Sequence, residues 1–103
     1  HPSVAEPLRQ LAASGGTVEY LPIGPTGLLA DADLRDRLQP DTRLLVLQLA
    51  NHETGVVQPL AELIGQARQH PEFEDRLAIH TDATQAVGKL PVRFHELGVT
   101  TLS

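Results

Sequence analysis

The chain has 103 residues, 41% hydrophobic and 20% charged, enough apolar side chains for a packed core and too many for a disordered tail. Its net charge of −5, with Arg35 and Arg37 interleaved with Asp33 and Asp36, leaves no basic stripe for nucleic acid. No apolar run reaches the length of a membrane span, no signal peptide is visible and cysteine is absent; no membrane partner and a cytoplasmic location are expected, and thiol chemistry is excluded within these residues.

Tyr20, Phe73 and Phe94 are the only aromatics, so the core is expected to be aliphatic. The chain opens at His1, without a methionine, inside what reads as a loop-to-helix junction, and is read as an internal piece of a longer protein. In chain order, Val4, Leu8, Leu11 and Ala12 share one helical face; Pro7 predicts that this helix begins or kinks near Glu6, and Gly15 and Gly16 end it. Residues 18–23 form a short apolar run that reads as a strand, and residues 24–27 carry turn chemistry. A short helix is predicted over 31–38, with Asp31 as its N-cap and Pro40 as its stop.

The run at 44–50 is nearly continuous in its hydrophobicity, as expected of a parallel strand covered on both faces. Leu60, Leu63, Ile64 and Ala67 follow the i, i+3, i+4, i+7 rule, which predicts an amphipathic helix over 59–69 with Pro59 in its first turn. A strand over 77–81, a short helix over 92–97 stopping at Gly98, and the start of a fourth strand at 100–103 complete the reading. Alternating helices and strands imply an α/β fold of three or four mostly parallel strands with flanking helices and right-handed crossovers. A sheet this narrow leaves unpaired edges unless more chain covers them.

In such sheets ligands collect at the carboxyl ends of the strands, where two polar clusters fall: residues 51–55 after one strand and 82–85 after another. Two readings of Asp82 stand. It either caps the next helix or meets a cation, because a carboxylate at the tip of a core strand is costly unless something compensates it. Gln85, three residues on, reaches the same place if the chain turns helical. His80 shares a strand face with Asp82 and reads as a packed, hydrogen-bonded histidine; a zinc site with His52 or His95 is the weaker alternative. Asn51 to Gly55 reads as a turn closed by the glycine, Glu53 as a loop carboxylate with no acid–base role, and Lys89, the one lysine, as a solvated loop cation.

Three strings, His1-Pro-Ser-Val-Ala-Glu-Pro-Leu8, Asn51-His-Glu-Thr-Gly-Val-Val-Gln-Pro59 and His80-Thr-Asp-Ala-Thr-Gln-Ala-Val-Gly-Lys89, together resemble one family in order and spacing. It is the cysteine desulfurases, with selenocysteine lyase as a close relative, and the strings at Val18-Glu-Tyr-Leu-Pro22, Asp41-Thr-Arg-Leu-Leu45 and Glu96-Leu-Gly-Val99 fit as well. The resemblance spans essentially the whole chain and implies part of the large domain of a class V aminotransferase-like enzyme of pyridoxal-phosphate fold type I.

It further implies roles at matching positions. Asp82 would pair with the pyridine nitrogen of pyridoxal 5'-phosphate, Gln85 would hydrogen-bond its phenolic oxygen, and His1 would stack on the ring and move protons. His52 stands where the family usually has an asparagine that also contacts the phenolic oxygen; it can donate one hydrogen bond, with a different shape and a titratable charge. Asn51 keeps a loop-shaping role. The Schiff-base lysine would follow shortly after Ser103, the phosphate loop would precede His1, and the nucleophilic cysteine and the arginine for the substrate carboxylate would lie far downstream. The implied activity of the parent protein is removal of sulfur from cysteine, or selenium from selenocysteine, leaving alanine and an enzyme persulfide. A sulfur-acceptor protein and a homodimer are the implied partners. The 103 residues alone are expected to be inactive and to bind the cofactor weakly at best. The rivals are a related pyridoxal-phosphate aminotransferase or lyase, a noncatalytic α/β module that binds a partner, and a metal-dependent hydrolase using His80 and Asp82.

Overall fold

Three short strands form the frame of the computed structural model, which describes residues 1–73 and 76–103. They are β1 (Leu44–Gln48), β2 (Ala78–Asp82) and β3 (Thr101–Leu102), paired in parallel in the order β1-β2-β3. The register sets Gln48 beside Asp82 and Val46 beside His80, so both pairs lie on one face of the sheet. Four helices accompany the strands: α1 (Pro2–Ala13), α2 (Asp31–Arg37), α3 (Leu60–Arg68) and α4 (Phe94–Leu97).

The core is aliphatic, as its composition requires, with Phe73 its one aromatic. Leu60, Leu63, Ile64 and Ala67 of α3 are all buried, and Leu34 of α2 joins them against Leu45, Leu47 and Ile79 of the sheet. Arg68, at the end of α3, donates through Nε and Nη2 to the carbonyl of Gly98 (3.2 and 3.0 Å). Gly98 ends α4 with φ 71°, a conformation other residues adopt only at a cost. No described helix is long and apolar enough to cross a membrane.

Several expectations are corrected. The 18–23 run forms no strand: among the described residues it has no ladder partner, and Tyr20 and Ile23 lie exposed, because β-branched content cannot make a strand without a neighbour to pair with. The segment at 100–103 therefore supplies the third strand, not a fourth. β1 is not covered on both faces; burial alternates along it, with Leu45 and Leu47 inside and Leu44 open. The first helix begins at Pro2, not near Glu6, and Pro7 sits within it, giving up one backbone bond in a helix with no buried residue. Ala30, not Asp31, occupies the N-cap of α2; Asp31 is the first helical residue and pairs with Arg35 one turn on (3.0 Å). The helices expected over 59–69 and 92–97 are present in shorter form, as α3 and α4.

Candidate functional site

The carboxyl ends of β1 and β2 adjoin in the sheet, so whatever follows each strand is brought to one end of the molecule. After β1, Asn51 builds the turn. Its Oδ1 accepts the backbone N–H groups of Glu53 (2.9 Å) and Thr54 (3.1 Å), its carbonyl accepts that of Gly55 (2.9 Å), and Gly55 takes φ 73°. The predicted turn closed by glycine is thus present, with Asn51 shaping it. The turn holds His52 out, exposed, and Glu53 is likewise exposed.

After β2, Asp82 is buried, 7% exposed, at the strand tip. Its Oδ1 accepts the N–H of Thr84 (3.1 Å), a local turn in place of the helix cap that is one of its two readings: residues 84–89 form successive turns and no helix. Those turns are nevertheless tight enough, with the N–H of Val87 on the carbonyl of Ala83 (3.0 Å), to carry Gln85 round to the same end. Lys89 is exposed as expected, yet it is not simply solvated: its ammonium donates to Gln85 Oε1 at 3.0 Å. Because an ammonium only donates, that contact fixes the amide, with oxygen toward Lys89 and the NH₂ group left to serve another acceptor. A groove of about 290 Å³ opens here, lined by Asn51, His52, Gly55, Gln85, Lys89 and Leu90 among others.

His1 reaches the same region from the other end of the chain. It caps α1, its Nδ1 accepting the N–H of Ser3 (3.2 Å) with Ser3 Oγ 2.8 Å away. Ser3 Oγ in turn donates to Asp82 Oδ2 at 3.4 Å, across 79 residues of sequence. The structure therefore joins His1 to Asp82 through one hydroxyl, and His52 to Gln85 across one groove. Asp82 and Gln85, three residues apart, link the two pairs. Ser3 and Lys89 were not singled out as site residues by the sequence, although both lie within the strings that carry the resemblance. His80 is held by two hydroxyls, Thr101 Oγ1 on Nδ1 (2.8 Å) and Ser103 Oγ on Nε2 (3.3 Å), a hydrogen-bonded histidine tying β2 to the last residues. Among the described residues no three histidine, cysteine, aspartate or glutamate side chains are grouped so as to hold a metal ion.

The parallel sheet thus brings a buried acid, an amide and two histidines to its carboxyl end, where open α/β sheets collect ligands. Residues 1–103 match the family described as aminotransferase class-V, and the chain belongs to that family. It is 39% identical over 103 residues to a cysteine desulfurase of Rattus norvegicus, which it covers for 22% of that protein's length. Among solved structures it superposes on a NifS-like protein with a TM-score of 0.90 at 28% identity, using all of this chain and 28% of that one. It also superposes on SspA in complex with cysteine, with a TM-score of 0.85 at 28% identity over all of this chain and 29% of that one. The chain thus spans between a fifth and a third of the relatives it matches.

Proposed function

We propose that residues 1–103 are a segment of the cofactor-binding large domain of a longer pyridoxal-phosphate enzyme that removes sulfur from cysteine. The observation that carries this reading is Asp82: a buried carboxylate with no cationic side chain against it among the described residues. A buried charge without a counter-charge is costly, and each of its oxygens, having taken one N–H or O–H donor, keeps a lone pair for another. A protonated pyridine nitrogen answers that need. The rest of the donor set fits the same group: the free NH₂ of Gln85 and one N–H of His52 suit a phenolic oxygen, and the flat ring of His1 suits a ring face.

When bound, the cofactor supplies an electron-poor ring that draws electrons from the substrate's α-carbon. Asp82 would keep a proton on the ring nitrogen; Gln85, with its amide oriented by Lys89, would donate toward the phenolic oxygen, and His52 would stand beside it where the resemblance implies an asparagine. His1 moves a proton at Nε2, the nitrogen not engaged by Ser3. The net reaction converts cysteine and an enzyme thiol into alanine and an enzyme persulfide. The C–S bond of cysteine and the S–H bond of the enzyme thiol break while C–H and S–S bonds form, with no outside oxidant. That thiol comes from beyond these 103 residues, which contain no cysteine. The names of the similar proteins, one a cysteine desulfurase and one solved with cysteine, support the substrate class. Selenocysteine as a second substrate, an acceptor protein for the sulfur, a homodimer and a cytoplasmic site of action belong to the same proposal.

The test is to load the longer protein with pyridoxal phosphate and supply L-cysteine. The expected result is alanine in step with persulfide. A keto acid without alanine would identify an aminotransferase instead. The 103-residue chain by itself is expected to form no dialysis-resistant cofactor absorption band.

A further inference from the structure

We propose that Ser3 is a positioning residue: its hydroxyl couples Asp82 to His1 and sets which nitrogen of that imidazole is the free base. The inference rests on the reading of His1 as the proton carrier, and its test runs without cofactor so that the two can fail separately.

Ser3 Oγ carries one proton and lies between two acceptors, His1 Nδ1 at 2.8 Å and Asp82 Oδ2 at 3.4 Å. It can give that proton to only one of them at a time. In the first arrangement Nδ1 is unprotonated and accepts from both the N–H and the O–H of Ser3; the ring proton is on Nε2, and Asp82 retains only the N–H of Thr84. In the second, Nδ1 carries the proton and donates it to Ser3 Oγ, the hydroxyl turns to Asp82, Nε2 is left with a lone pair, and the exposed N–H of Ser3 exchanges Nδ1 for water.

The second arrangement gives the buried carboxylate its second donor, and hydrogen bonds to an ionised group are the stronger kind. It is also the one open to the cationic ring, whose Nδ1–H then has an acceptor. Asp82, through the hydroxyl of Ser3, thereby presents Nε2 as the base. The hydroxyl stands where a direct carboxylate–histidine contact would otherwise do the same work. Other charges near this chain of groups are accounted for. Glu6, one turn along α1, is paired with Arg9; Lys89 is bound to Gln85; His52 faces the groove lined by Gln85.

The experiment reads the tautomer of the neutral His1 ring from its nitrogen-15 chemical shifts in the cofactor-free longer protein. Ser3→Ala is expected to move the ring proton from Nδ1 to Nε2, and Ser3→Thr, which keeps the hydroxyl, to leave it on Nδ1. Asp82→Asn is expected to shift the tautomer toward Nε2–H when Ser3 is present and to add little when Ser3 is already alanine. An unchanged tautomer in Ser3→Ala, or an Asp82→Asn change equally large in both backgrounds, would overturn the proposal. Retention of cofactor by the unaltered protein, read from its visible absorption, separately decides the reading beneath it.

Discussion

Helices α3 and α1 show how differently two amphipathic segments can be used. α3, with nine residues, buries four of them, Leu60, Leu63, Ile64 and Ala67, against the sheet. α1, with twelve, buries none, leaves Leu11 48% exposed, and meets the tip of β2 through the Ser3–Asp82 hydrogen bond. Within these 103 residues α3 packs under the sheet, and α1 reaches it at the end where the proposed site lies. There α1 is tied to the strand ends at its start, by Ser3 and the capping histidine.

The largest expected effect comes from Leu63→Ala, which removes a side chain 2% exposed and should cost about 2–5 kcal/mol, read as faster hydrogen exchange of the α3 amides in the longer protein. Leu11→Ala in α1, a side chain 48% exposed within these 103 residues, should change the exchange of the α3 amides in the 103-residue chain by less than about 0.5 kcal/mol; an equal effect would break the comparison. Gly98→Ala comes next. Its φ of 71° disfavours a side chain, and an added Cβ would stand 3.3 Å from Ile64 Cγ2, so a loss of about 1–3 kcal/mol is expected in α3 and α4 together. Thr81→Val sharpens the contrast from the other side. Thr81 Oγ1 is buried with no hydrogen-bond partner among the described residues, and replacing it by a methyl should stabilise the sheet by about 1 kcal/mol.

The sheet and α3 were legible because their signals are local: apolar runs at 44–50 and 77–81, and a 3.6-residue period at Leu60, Leu63, Ile64 and Ala67. The 18–23 run carried the same residue types but lacks a paired neighbour, which no local pattern reports. At the site, the turn at Asn51 was readable from residue types alone, while Asp82 left two readings open. Ser3 was hidden because its importance arises from a contact 79 residues away. Lys89 was hidden for a different reason. Its spacing of four from Gln85 matters only if the chain coils after Asp82, and the tight turns there make it do so.

The most direct measurement is the nitrogen-15 chemical shift of the pyridine ring in the longer protein loaded with ring-labelled pyridoxal phosphate, compared with Asp82→Asn. A protonated ring nitrogen beside Asp82, lost when the carboxylate becomes an amide, is the predicted result. An unprotonated nitrogen in the unaltered protein, or a shift indifferent to Asp82→Asn, would contradict the placement of Asp82 against the cofactor.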